Sequence, residues 1–497
     1  MSGRSKVTFV APRLDTSPAV HHEEAAAANI AAVGDAIREV SRALSGANET
    51  DKILLRAAAG AGKSYALRRM VKESLDHPSC TRVAVTAFAN KQVFPLAESL
   101  GRELGKKNVC LLVSQARLGD VPDSTNKEAT VVSSTSSIST DVKVVLGTSH
   151  RLGYEIGRFA AHFGAGSNGS KTFDLLFVDE AWQLPLHRFT AVKGLAPIAV
   201  GVGDVGQLPP IDPSQNPWRG DPGYNPYRAW PTQFEREKGT FAVDLPAVWR
   251  PTAAQLPLWR AFYEEWDPLY CVAGPGDRRI ELPHLTGIAA DIWGSVATGV
   301  PTLVEVDGLE DPEAPDIDAP LLAVAEDMLD ALLAGGFAVS ACGYDDGGAP
   351  GPSKRVASAT PSGDPLIVVL ATRNQAVDDA AEMVERLCLK HALPDGVLVA
   401  STVDSWQGQT NAITVALHPL SGASKLDEFN SAFGRLAVTC TRATHGLLLF
   451  ARAGLDDLLA TAPPRQGTPF GEPGTRALPR QTHQRILATF ARGVLRR

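Results

Sequence analysis

The sequence predicts an α/β protein made of two tandem parallel-sheet domains carrying small insertions. Short, almost wholly apolar runs alternate with helix-spaced segments, and this pattern occurs in two separate series along the chain. A glycine-rich turn stands directly between one such run and one such helix. At 497 residues the chain also exceeds what one hydrophobic core can organise, and about two to four domains are expected.

The elements follow in chain order. Residues 1–25 read as a flexible leader. From residue 21 to 44 the spacing is helical, with Ile30, Val33, Ile37 and Val40 on one face. Strands are predicted at Ile53-Leu54-Leu55, Val83-Ala84-Val85, Val142-Lys143-Val144-Val145-Leu146, Leu175-Leu176-Phe177-Val178 and Ile198-Ala199-Val200-Gly201-Val202. Residues 123–140, rich in Ser and Thr, read as a small insertion or exposed loop. The second series runs through Leu366-Ile367-Val368-Val369-Leu370, a helix over 377–389, Val397-Leu398-Val399, Ile413-Thr414-Val415-Ala416-Leu417 and Leu447-Leu448-Leu449-Phe450. Residues 265–360 carry Gly/Pro/Asp-rich pieces around a helix near 321–333 and read as insertion plus linker. From 463 onward the chain is Pro/Gly-rich and then basic. Arg465, Arg476, Arg480, Arg485, Arg492, Arg496 and Arg497 face only Glu472, so this tail reads either as a phosphate contact or as solvated chain.

Composition excludes several classes. With 44% hydrophobic and 21% charged residues the chain is globular, and no apolar run is long enough to span a bilayer. The start lacks a hydrophobic segment before a small-residue cleavage site, and a cytoplasmic location is expected. Six cysteines (80, 110, 271, 342, 388 and 440) form no C-x-x-C pair, which argues against a zinc module and fits reduced thiols. A net charge of −7 rules out a generic polyanion binder, so any nucleic-acid contact must be a local groove.

The residues that carry chemistry begin at Arg56-Ala57-Ala58-Ala59-Gly60-Ala61-Gly62-Lys63-Ser64. Strand, glycine-rich turn, Lys-Ser and helix is the context of a phosphate-binding loop. Backbone N–H groups around Gly60, Ala61 and Gly62 can converge on phosphate oxygens, Lys63 can reach the outer phosphates and Ser64 can ligate Mg²⁺. Ala57 replaces the first glycine of G-x-x-x-x-G-K-[ST]. Downstream, Asp179-Glu180-Ala181-Trp182-Gln183 places two carboxylates at a strand end. Asp179 suits a metal held through its water shell, and Glu180 suits polarising an attacking water. Gly203-Asp204-Val205-Gly206-Gln207-Leu208-Pro209-Pro210 adds Gln207, whose amide can orient a water or sense a γ-phosphate.

The order of phosphate loop, D-E-A-x-Q and G-D-x-x-Q-L-P-P resembles the superfamily 1 helicases, most closely the branch of the RNA-decay helicase of nonsense-mediated decay. Thr86-Ala87-Phe88-Ala89-Asn90 resembles motif Ia, and Gly147-Thr148-Ser149-His150 resembles the next backbone-gripping loop. Leu245-Pro246-Ala247-Val248-Trp249-Arg250 looks like the segment where an aromatic ring packs on the base and an arginine touches the γ-phosphate. Trp249 reads as that stacking platform or as a core tryptophan. Thr372-Arg373-Asn374-Gln375 resembles motif IV, 401–410 (with Ser401, Thr402, Gln407 and Gly408) motif V, and 435–443 motif VI. Asn29 stands at the family's adenine-reading glutamine, and Thr410 at a sugar-binding glutamate; the Gln-Gly-x-Thr form is similar to plus-strand RNA virus helicases.

The resemblance implies tandem RecA-like domains over 26–250 and 251–462 that use ATP and Mg²⁺ to move along single-stranded DNA or RNA, 5′ to 3′. It implies Arg442 as an arginine finger, Arg250 and Arg373 as further γ-phosphate contacts, and Thr86, Asn90, Thr148, Ser401 and Thr402 as nucleic-acid contacts. A nucleotide-gated nucleic-acid-binding switch that hydrolyses without unwinding is the alternative. Protein partners are expected through 265–360 or the basic tail, and no membrane contact is expected.

Overall fold

In the computed structural model the chain is described at all positions except 1–5, 13–17, 167–170, 207–209, 211, 212, 214, 222, 265, 267, 314–317, 372, 373, 428, 429, 465–471 and 473–477, with 374 and 375 described by backbone alone. The described residues form two units. One comprises those of Ala28–Leu245 and Pro469–Gly474; the other comprises those of Met1–Ala27, Pro246–Thr468 and Thr475–Arg497.

The first unit is organised by an eight-stranded sheet. Its strands, in spatial order, are Thr130–Val132, Val109–Leu112, Val144–Thr148, Val83–Ala87, Leu175–Asp179, Ile198–Asp204, Lys52–Ala57 and Thr240–Leu245, every neighbouring pair parallel. The inner strands are buried on both faces, which is why they read as continuous apolar runs. Strand Ile198–Asp204 carries Gly201 and Gly203 because tryptophan side chains pack directly against it. A Cβ at Gly203 would stand 2.7 Å from Trp182 Cε3, and one at Gly201 would stand 2.5 Å from Trp230 Cζ2. That close packing fixes the segment after Asp179. The stretch expected as an exposed loop over 123–140 instead forms the short helix Asp123–Glu128 and the sheet's edge strand Thr130–Val132. Thr240–Leu245 is a further strand that no apolar run announced. Its Asp244 is held by Arg56 on the neighbouring strand, Nε to Oδ1 at 2.6 Å and Nη2 to Oδ2 at 2.9 Å.

The second unit holds a seven-stranded sheet in the order Phe9–Val10, Ala491–Arg496, Thr302–Asp307, Ala443–Arg452, Asn411–Leu417, Ile367–Ala371 and Leu398–Thr402. Only the pair Phe9–Val10 with Ala491–Arg496 is antiparallel. Helices Gly287–Ala297, Ala319–Gly335 and Asn374–His391 supply apolar residues to one core, where Trp293 donates its Nε1–H to the Met328 carbonyl at 2.7 Å. Three expectations change here. The leader contributes an edge strand. The 265–360 region is no simple insertion, since Thr302–Asp307 is an inner strand and both its long helices are core. The basic tail folds into helix Arg480–Leu487 and strand Ala491–Arg496, and four of its arginines are held within the unit, while Arg465 and Arg476 lie outside the described residues. Arg492 pairs with Glu305 and Asp456, Arg497 with Asp327, Arg485 with Glu264, and Arg480 donates to the Ala462 carbonyl. The longest stretch of this unit begins at Pro246, so Trp249 and Arg250 belong to it rather than to the first unit. A three-stranded antiparallel sheet (Arg278–Glu281, Ala338–Tyr344, Pro350–Ala357) completes it. Among the described residues no helix is long and apolar enough to cross a membrane.

Candidate active site

The glycine-rich turn starts where strand Lys52–Ala57 ends. Ala57 is the strand's last residue, paired with Asp204 and Leu245, a conformation any side chain adopts, so alanine replaces glycine there without strain. Positive φ is required later, at Gly60 (75°) and Gly62 (90°). Gly62 starts helix Lys63–Leu75 with no side-chain cap, so the first-turn N–H donors carry the helix's positive end into the turn. The turn is braced from within by Ala61 N–H on the Ala58 carbonyl at 3.2 Å, and from outside by Asn29, whose buried amide donates to the Ala61 carbonyl at 3.0 Å. Asn29, which stands at the family's adenine-reading glutamine, thus braces the glycine-rich turn.

Lys63 reaches Glu180, Nζ to Oε2 at 3.1 Å, with both side chains about nine-tenths buried or close to it (13% and 14% exposed). Glu180 has φ 50° and ψ 46°, a left-handed conformation that costs a non-glycine residue about 1 kcal/mol or more. The turn that fixes it closes with Gln183 N–H on the Glu180 carbonyl at 2.9 Å. Asp179 lies beside it, buried, with Oδ1 accepting the Glu180 N–H at 3.0 Å. Burial, and then the neighbouring Glu180 charge, push its carboxyl up to about 7 against the pull of Lys63. Two carboxyl groups with one ammonium against them leave a deficit of positive charge. Oxygen donors in that state match a hard divalent cation, and the exposed Ser64 hydroxyl adds a further donor of the same kind. Asp204, buried at the end of the next strand, accepts the Gly206 N–H at 2.8 Å. Gln207 lies outside the described residues.

In the second unit the structure brings Arg250 and motif VI together: Arg250 Nη1 donates to the Thr441 carbonyl at 3.2 Å. Arg442 is only 3% exposed. Its carbonyl accepts the Asn411 N–H at 3.3 Å, and Asn411 Oδ1 accepts the Trp406 Nε1–H at 2.9 Å, tying motif V to motif VI. Gln407 has its Nε2 buried without a hydrogen-bond partner among the described residues, next to Gly408 at φ 86°. Trp249 is half-buried, packed with Ala25, Ala26 and Val272, its ring edge-on to Tyr344 at 6.3 Å; Arg278 holds its carbonyl at 2.7 Å. Arg373 lies outside the described residues.

The expected nucleic-acid contacts separate. Thr86 is wholly buried and donates its hydroxyl to the Gly147 carbonyl at 2.9 Å, so it fastens two strands and presents nothing to a ligand. Asn90 opens helix Asn90–Leu104 and is partly exposed. Thr148 caps helix Ser149–Tyr154 through the Arg151 N–H at 3.3 Å. Ser401 and Thr402 close strand Leu398–Thr402, partly exposed, with Thr402 Oγ1 accepting the Ser405 N–H at 2.9 Å. Sequence reading missed the link between motifs: Gln92 accepts the Ala89 N–H at 2.9 Å and donates to Gln183 Oε1 at 2.8 Å, joining the motif Ia turn to the segment after Glu180. Two glutamines at matching strand ends were the available signal.

No protein-family model and no curated protein matches the chain. Among solved structures, arterivirus nonstructural protein 10, a helicase, is similar at 14% identity and TM-score 0.38, over 84% of this chain and 61% of that one. The PRRSV helicase is similar at 13% identity and TM-score 0.36, over 86% and 58%. The DUF1998 helicase MrfA, bound to DNA and AMPPNP, is similar at 10% identity and TM-score 0.44, over 98% and 60%. The chain therefore spans about three-fifths of the length of each of these solved chains.

Proposed function

We propose that the chain is an ATP-hydrolysing nucleic-acid helicase or translocase that moves along single-stranded DNA or RNA, in the 5′-to-3′ direction its motifs resemble. The observation that carries this reading is the pair of Lys63 and Glu180 at 3.1 Å, set beside buried Asp179 at the mouth of a positive-φ glycine turn. Phosphoryl transfer asks little covalent chemistry of a protein; it asks for placement and charge. The turn's N–H donors and Lys63 would hold the β- and γ-phosphates. Glu180, released by Lys63 as the phosphates take its place, would accept a proton from the attacking water. Mg²⁺, held by Ser64 and Asp179, would neutralise charge on the phosphate oxygens. Arg250 and Arg442, joined through the Thr441 carbonyl, are proposed as the cations that answer to the same γ-phosphate.

Strand displacement on duplexes with a 5′ or a 3′ single-stranded tail tests the motor. ATP-dependent displacement from the 5′ tail alone is expected, and hydrolysis without displacement from either tail would replace the motor with a nucleotide-gated switch.

A further inference from the structure

Strands Val83–Ala87 and Leu175–Asp179 lie side by side in the first unit, with Thr86 opposite Val178. Their carboxyl ends, where ligands of a parallel sheet bind, therefore open next to each other. One end leads through Phe88 and Ala89 into helix Asn90–Leu104, and the other leads into Glu180. The first turn faces outward: Phe88 is 45% exposed and Lys91 is exposed. The second holds Glu180 in its left-handed conformation, with its carboxylate against Lys63.

A pair of half-buried glutamines connects the two ends. Gln92 stands in the first turn of its helix, and its Oε1 reaches back to accept the Ala89 N–H at 2.9 Å. That bond decides which end of the amide faces which way. Nε2 is left to face Gln183, and it donates to Gln183 Oε1 at 2.8 Å. Gln183 in turn gives its backbone N–H to the Glu180 carbonyl at 2.9 Å, closing the turn that keeps Glu180 at φ 50°. Three hydrogen bonds thus lead from the Ala89 amide to the backbone of Glu180.

The turn's other supports are rigid. A Cβ at Gly203, on the neighbouring strand, would stand 2.9 Å from the Ala181 backbone nitrogen, and Leu184 N–H closes on the Ala181 carbonyl at 3.2 Å. Packing this close leaves the segment no room to slide as a body. The side-chain link is the support that can be made and broken. It acts on a backbone conformation that a non-glycine residue keeps only while its surroundings hold it.

We propose that Gln92 is a positioning residue that carries the occupancy of residues 88–91 by a single strand to Glu180, and so sets how strongly a strand stimulates hydrolysis. A strand held at the turn fixes Ala89, and Ala89 fixes the Gln92 amide. Gln183 then keeps the Glu180 turn closed, with its carboxylate placed to take a proton from the attacking water. With residues 88–91 unoccupied, thermal motion makes and breaks the link, and Glu180 is held for less of the time. The inference rests on the function proposed above and deepens it by naming how its two ligands communicate.

The test compares kcat for ATP with and without a saturating single strand, oligo(dT) and oligo(U) in parallel, in the full chain and four variants. Gln92→Glu keeps an acceptor for the Ala89 N–H and offers a second oxygen to the Gln183 amide N–H. Gln183→Glu keeps an acceptor for Gln92 Nε2. Each single variant retains one donor between the two side chains and should keep most of the stimulation. The double variant keeps the helix start capped but sets two carboxylates together with no donor, and its stimulation should vanish. Gln92→Leu, which breaks the link without adding charge, should lose the stimulation as well, in kcat alone, with KM for ATP held within about twofold. Wild-type stimulation in the double variant or in Gln92→Leu, or single variants as damaged as the double, would overturn the coupling role while leaving the helicase reading intact. A wild type that hydrolyses ATP at one rate with and without either strand would overturn both.

Discussion

Replacing Glu180 by Gln separates two properties that usually fall together. Lys63 is held by Glu180 at 3.1 Å, and both side chains are largely shielded from water. A nucleotide must therefore win Lys63 away from a carboxylate before its phosphates can be held. Hydrogen bonds to charged groups contribute about 1.5–3 kcal/mol, with the ammonium–carboxylate pair at the upper end and an amide on the same ammonium at the lower end. The competition that Glu180→Gln relieves is thus about 1–1.5 kcal/mol, or about tenfold in affinity. The same substitution removes the proton acceptor, which general-base catalysis values at about 10²–10⁴ in rate. The variant should then bind a non-hydrolysable ATP analogue about tenfold more tightly by calorimetry while turning over ATP at least about a hundredfold more slowly. Its nucleotide-free form should lose about 1 kcal/mol of stability, because the energy that no longer competes with nucleotide no longer holds the free protein. Unchanged affinity would show that the Lys63–Glu180 pair does not gate the site, and near-normal turnover would remove Glu180 from the chemistry.

Other outcomes follow from the same geometry. Lys63→Ala leaves Glu180 and Asp179 buried without their cation. Nucleotide binding should become undetectable by calorimetry, and the nucleotide-free protein should lose about 1–3 kcal/mol in denaturant titration. Arg442→Ala should lower kcat by about 10³-fold with a much smaller change in nucleotide Kd, and equal losses in both would mark Arg442 as a packing residue. His418 is buried, and burial foremost, with His483 and Arg492 nearby, pushes its pKa down to about 3, whereas an unfolded histidine titrates near 6.5. Between those values only the unfolded chain binds the proton. Stability is therefore full above pH 6.5 and falls as the pH drops, by about 2 kcal/mol at pH 5. His418→Asn, which keeps an acceptor near Nδ1 for the Leu420 N–H, should flatten that pH dependence in thermal melts at pH 5 and 7.

Much of the site was legible because phosphate chemistry demands contiguous residues. The turn before Lys63 and the Asp179-Glu180 pair announce themselves locally, and the structure sets Lys63 against Glu180. What could not be read depends on distant partners. Ala491–Arg496 buries alternate residues and exposes arginines between them, so its strand signal was hidden under a charge pattern that resembled a solvated tail. Thr302–Asp307 is an inner strand only because Ala491–Arg496 and Ala443–Arg452 flank it, while its own Gly/Pro/Asp-rich surroundings looked like a linker. Thr86 sits in a loop-like motif, yet the strand's alternation turns its hydroxyl inward to Gly147, and no spacing rule says which face a threonine takes. Asn29 shows the same limit: no spacing in the sequence tells that its amide reaches the Ala61 carbonyl and braces the turn.

Steady-state ATP hydrolysis by the full chain, measured with and without single-stranded oligonucleotide and repeated with Lys63→Ala, tests the central claim most directly. The account predicts turnover that rises severalfold with the oligonucleotide and vanishes in the variant under both conditions. Turnover indifferent to single strands, or equal in wild type and Lys63→Ala, would contradict it.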